Sequence, residues 1–224
     1  MIKTSTPRYT KQRATATKAA VSSTSRQPVL PPKVLAAPGF TIKGMPAGVS
    51  LITYNRQTTD SGGGVITNTP LGLFDKKAMR DLPDSAVDGL RPLVLVELPR
   101  GGPSDFVDHL ELLATYQRRL PKLQRRIMLQ WTIYAADPLL TLWDEVVRAR
   151  AFATLIASEL GVPSVLIQHV PANAGFVEAA HIHILILPRM LSRDGFGATA
   201  DRLIADETGQ ILSALWTQFL ASWS

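Results

Sequence analysis

The sequence contains no cysteine, which removes a disulfide framework and every cysteine-ligated zinc site and fits a reducing compartment. Any bound metal must then be held by histidine or carboxylate. Long apolar runs are missing too. Stretches such as Leu93–Val96 and Ile182–Leu187 fall far short of the roughly 20 residues that a membrane-spanning helix needs. No membrane insertion is expected, and the cytoplasm is the expected location. Acidic residues are absent from residues 1–59, which carry nine basic ones (Lys3, Arg8, Lys11, Arg13, Lys18, Arg26, Lys33, Lys43 and Arg56), whereas residues 60–224 carry 15 basic and 18 acidic. An acid-free basic arm on a near-neutral body suits contact with phosphates, because release of condensed counterions drives sequence-independent binding. A solubilising tail has the same composition. An organelle transit peptide shares the Ser/Thr/Arg-rich, acid-poor character, but no convincing amphipathic run accompanies it here.

With 224 residues and 46% hydrophobic content, the chain can bury one substantial core but is too short for two large domains. Residues 1–38 are rich in Ser, Thr, Ala, Pro and Lys and end at Pro28, Pro31 and Pro32. Such a stretch cannot offset its ordering entropy and reads as a disordered basic arm. Residues 39–90 read as an irregular extension, with a strand candidate at Val49–Tyr54, a turn at Gly62–Gly64 and a loop around a short helix at Pro70–Pro83.

From residue 91 the periods are clearer. Pro92–Leu98 reads as a buried strand followed by the turn Pro99–Pro103. A helix capped by Ser104 or Asp105 comes next, with Phe106, Leu110, Leu113 and Leu120 on one side, and it ends at Pro121. Ile127–Ala135 reads as a strand, Asp137-Pro138 as a turn, and Thr141–Leu160 as a long helix stopped by Gly161-Val162-Pro163. Ser164–Val170 and His181–Leu187 are two more strands, and a last helix spans about Ala200–Trp223. The order over residues 91–224 is β-α-β-α-β-β-α, which predicts an α+β fold: an antiparallel or mixed sheet covered by helices. No internal repeat is visible.

The strand His181–Leu187 carries the most chemical information. Alternation puts His181 and His183 on one face and Ile182, Ile184 and Ile186 on the other. In a central strand, an imidazole without a partner costs on the order of 1–3 kcal/mol, and a cation shared by both rings would supply the partner. His169 ends the preceding strand, and eleven residues return the chain to His181. A hairpin would therefore bring all three rings to one end of the sheet. Histidines that merely cap the strand entrance, bonded to water, are the plainer reading. His109, in the first helix, reads as a surface residue.

The combination of Ala151-Phe152-Ala153, Glu159-Leu160-Gly161-Val162-Pro163, Ile167-Gln168-His169-Val170-Pro171, Ala180–Leu185 and Arg189–Gly197 resembles the MobA/MobL-type plasmid mobilisation relaxases of the HUH endonuclease group. The resemblance spans roughly residues 125–200. It implies a metal triad of His169, His181 and His183 holding Mg²⁺ or Mn²⁺, with zinc a further occupant. It also implies a tyrosine nucleophile that leaves a 5′-phosphotyrosyl link. Tyr116 on the first helix matches the nucleophile position, with Tyr54 and Tyr9 as fallbacks and Tyr134 read as core.

Arg118, Arg119, Lys122, Arg125 and Arg126 around Tyr116, with Arg189, Arg193 and the stacking ring of Phe196, are the expected DNA contacts. The turn Gly195-Phe196-Gly197 also reads simply as a link from strand to helix. The expected activity is metal-dependent, strand-specific nicking and rejoining of single-stranded or nicked plasmid DNA at a transfer origin, alongside other mobilisation or transfer proteins. The alternative is a catalytically inactive DNA-binding or accessory mobilisation protein of the same fold. Gln130, Trp131 and Thr132 stand where these relaxases place acidic residues, and Ala180 replaces their Asn-Pro or Asp-Pro turn. Glu178 is the nearest carboxylate substitute. A histidine-triad hydrolase would need a third alternating histidine at Leu185, and a rolling-circle initiator a tyrosine beyond His183.

Overall fold

Strands of alternating or continuous apolar character assemble into a six-stranded antiparallel sheet, with two further two-stranded hairpins, in the computed structural model, which describes residues 40–78, 92–135, 140–170 and 179–223. The elements in chain order begin with β1 (Phe40–Ile42), β2 (Val49–Asn55), β3 (Gln57–Thr59), β4 (Val65–Thr67), α1 (Pro70–Ala78) and β5 (Leu93–Glu97). A 3-10 turn (Ser104–Val107), α2 (His109–Arg119), β6 (Arg126–Tyr134), α3 (Leu142–Leu160), β7 (Ser164–His169) and β8 (His181–Ile186) follow. The chain then forms β9 (Arg189–Ser192), β10 (Gly195–Thr199), α4 (Asp201–Ile204) and α5 (Thr208–Ser222). Six strands pair in the order β1-β2-β6-β8-β7-β5, every neighbour antiparallel. The α+β class and the helix-covered sheet expected from the sequence are both present.

β8 lies inside the sheet between β6 and β7, which explains why it is apolar on both faces. Ile182, Ile184 and Ile186 pack with Leu129, Trp131, Phe152 and Trp216 in the core beneath α3 and α5. Leu185, on the opposite face, packs with Tyr54, Phe74, Leu112 and Tyr116 beneath α1 and α2. Helix α3 is fixed at its start by a capping box between Thr141 and Asp144 and at its end by Gly161 in the left-handed region (φ 65°). Among the described residues no helix is long and apolar enough to cross a membrane.

Four sequence expectations change. Residues 40–78 are more regular than an irregular extension: the strand candidate Val49–Tyr54 is present as β2, seven residues of which pair along β6, and the short helix expected near Pro70 is α1, which covers one sheet face. The helix expected to start at Ser104 or Asp105 starts after Asp108, whose carboxylate accepts from the amides of Leu110 and Glu111. Gly195-Phe196-Gly197 begins the second strand of the hairpin β9–β10 rather than leading straight into a helix, with Gly195 at φ 94° where an L side chain would be strained. The last helix is two, because Ala205 is extended (φ −71°, ψ 165°). The basic arm at residues 1–38, Tyr9 and Glu178 lie outside the described residues.

Candidate metal centre

The pairing of β7 with β8 sets His169 opposite His181 and Ile167 opposite His183, so the hairpin expected from the sequence brings three imidazoles to one end of the sheet. Ring centroids are 5.2 Å apart for His169–His181, 5.0 Å for His169–His183 and 4.8 Å for His181–His183. One ligand nitrogen from each lies within 4.8 Å of the others, an arrangement that can hold a metal ion. Tetrahedral coordination at 2.0–2.1 Å separates nitrogens by about 3.3 Å, which rotations about the side-chain bonds can supply.

The ring nitrogens divide into tethered and open ones. His181 Nδ1 lies 2.9 Å from the Ala179 carbonyl oxygen. His183 Nδ1 lies 3.0 Å from Thr132 Oγ1 and 3.1 Å from Gln130 Nε2. His169 Nε2 is buried without a hydrogen-bond partner. A buried ring nitrogen left open beside two other imidazoles is a physical reason to expect an absent ligand. The donor set fits a divalent cation with affinity for imidazole.

Burial, the charge of His181 and that of Lys77 push the His169 pKa down to about 4. Burial, then Lys77 and the other two histidines, hold His183 well below its ordinary value. Both are therefore neutral near pH 7, the state a metal ligand requires. Lys77, in the last turn of α1, is itself shifted down by burial. Sequence reasoning passed over it because residues 70–83 read as loop around a short helix; the basic pair Lys76-Lys77 at a helix end was the available signal.

Tyr116 is not at this site. Its side chain is fully buried, its hydroxyl donates to the Ile127 carbonyl at 2.7 Å, and burial pushes its pKa up. Ile127 lies five residues along β6 from Thr132, the cross-strand partner of His183, or roughly 16 Å at the usual strand rise. Tyr54 is 2% exposed with its pKa raised to about 12 by burial. Tyr134, read as core from the sequence, is instead 42% exposed, stands opposite His181 and places its ring 6.0 Å from that imidazole. His109 is half-buried with its ring 4.9 Å from Phe74 rather than free on the surface.

The basic residues expected around the nucleophile also gather at the far end of β6. Arg118 pairs with Glu111 at 3.1 Å, while Arg119, Lys122, Arg125 and Arg193 are exposed. Arg189 donates to the carbonyls of Arg119 and Gly197, and Phe196 packs on Phe106 and Tyr116 rather than presenting a free face. Arg126 donates to the carbonyls of Leu203 (3.4 Å) and Ala205 (2.7 Å) and to Thr208 Oγ1 (3.0 Å), so it holds the break between α4 and α5. Arg126→Met is expected to cost about 1–3 kcal/mol of stability through unpaired acceptors. Urea denaturation measures this, and an unchanged midpoint would contradict the clamp.

No family model matches the chain, and no curated protein matches it. One solved structure, described as the molecular basis of vancomycin resistance transfer in Staphylococcus aureus, is similar over 57% of this chain at 16% identity and a TM-score of 0.46. The chain spans 66% of that chain's length.

Proposed function

We propose that this chain is a metal-dependent, single-stranded-DNA-processing protein of the HUH relaxase type, acting at a plasmid transfer origin. His169, His181 and His183 would hold the cation. The observation that carries the reading is the convergence of three imidazoles with the buried Nε2 of His169 left open. A divalent cation, Mg²⁺ or Mn²⁺ with zinc a further occupant, supplies polarisation of a phosphate's nonbridging oxygens. The chain's own residues then orient the strand: Lys77, at the end of α1 and electrostatically coupled to His169 and His183, is suited to a phosphate oxygen, and the exposed ring of Tyr134 to a base or to attack.

In the nicking reaction the phenol of Tyr134, rather than that of Tyr116, takes the nucleophile's part. Its oxygen bonds to phosphorus, the bond from phosphorus to the 3′ oxygen breaks, and the phenolic proton ends on that oxygen through solvent. Religation reverses these changes. The second reading, an accessory protein that binds DNA without cutting it, is favoured by the burial of Tyr54 and Tyr116.

A pool of labelled random single-stranded oligonucleotides, incubated with the protein and Mn²⁺, separates the two. Nicking predicts an SDS-resistant protein–DNA adduct that survives Tyr116→Phe and disappears in Tyr134→Phe. Metal-dependent DNA binding with no adduct in any variant would establish the second reading. DNA binding indifferent to metal and to all three histidines would remove both.

A further inference from the structure

His183 is held by a buried network of neutral groups. Gln130, at 2% exposure, and Thr132, at 1%, both face it from β6. The Tyr54 hydroxyl donates to Gln130 Oε1 at 2.8 Å, and Gln130 Nε2 lies 3.0 Å from Thr132 Oγ1 and 3.1 Å from His183 Nδ1. Thr132 Oγ1 is also 3.0 Å from His183 Nδ1.

In this arrangement the amide nitrogen of Gln130 donates to Thr132 and to His183. An Nδ1 that accepts must leave the ring proton on Nε2, and a protonated Nε2 has no lone pair for a cation. The oxygen and nitrogen of an amide occupy nearly equivalent positions, so a half-turn of the Gln130 amide exchanges them. Oε1 then accepts from His183 Nδ1–H, Nε2 donates to Tyr54, and His183 Nε2 opens towards the triad.

From these four side chains we infer that Gln130 is a positioning residue that selects the His183 tautomer: its amide donates to Nδ1 in the metal-free protein and turns to accept from Nδ1–H when a cation is bound. Tyr54 is the third member of the switch because it must change from donor to acceptor. This inference rests on the metal-centre reading. It also explains how a site without a carboxylate behind this histidine can present a ligating imidazole.

The test combines tautomer and affinity. Long-range proton–nitrogen NMR of the metal-free chain is expected to show His183 protonated at Nε2, and the Zn²⁺-loaded chain to show Nδ1–H. Gln130→Glu supplies a permanent acceptor and is expected to tighten Zn²⁺ binding about tenfold, whereas Gln130→Met, which can do neither, weakens it about 10–100-fold, the usual scale for a partner behind a ligand. The NMR measurement needs no variant, so misfolding of the Gln130→Glu chain would leave it intact. Nδ1–H already present without metal, or Zn²⁺ affinity equal in all three chains, overturns the inference while leaving the metal centre standing. Zn²⁺ failing to perturb any of the three rings overturns the metal centre itself.

Discussion

Replacing His183 with alanine is expected to weaken Mn²⁺ binding by at least about 100-fold, above the range typical of residues that only support a ligand. The reason is positional. His183 is 7% exposed and fixed by two side chains on Nδ1, which makes it the most firmly held of the three ligands. His169 and His181 sit nearer the rim, and two imidazoles leave the cation one protein ligand short of the triad. The substitution also leaves the buried Gln130 amide and Thr132 hydroxyl short of a partner, costing about 1–3 kcal/mol in the metal-free protein. Calorimetric titration of Mn²⁺ into both proteins reads the affinity, and unchanged affinity would contradict the assignment.

Acidification should destabilise the metal-free chain before its carboxylates titrate. In the unfolded chain His169 takes up a proton near 6.5, whereas in the folded protein it does so only near 4. Between those values the unfolded state binds more protons, so stability falls as pH falls through this window. From 6.5 down to pH 5 the loss from His169 alone is about 2 kcal/mol, and on the order of 3 kcal/mol once its folded-state pKa is passed. His183, displaced in the same direction, adds to it. Among the described residues the groups acting on His169 are His181, His183 and Lys77, none of them an acid that would counter the trend. Urea midpoints at pH 7, 6 and 5 check this, and His169→Leu should flatten the slope. A midpoint constant over that range would contradict the neutral state of His169 and His183 in the folded protein.

The triad was legible because its signal is local: alternation in one strand, and a hairpin short enough to return His169 to His181. Core strands and the long α3 were legible for the same reason, since Pro, Gly and the Thr141 cap punctuate them. What surrounds the triad was not. β2 could be read as a strand candidate, but its polar neighbours hid its place in the sheet, which only the pairing along β6 supplies. That pairing brings Tyr54 to Gln130, and it could not be read from either segment alone. Charge proximity in sequence likewise misled about Tyr116: the basic cluster and this tyrosine do lie together, but at the other end of β6 from the histidines. Period fixes the face of a strand, whereas distance along it depends on register, which is a tertiary property.

X-ray absorption fine structure of the Zn²⁺-loaded protein counts imidazoles at the metal directly. Three of them, falling to two in His169→Ala, is the expected result. A first shell of oxygen alone, identical in the two proteins, would show that these rings meet without sharing an ion.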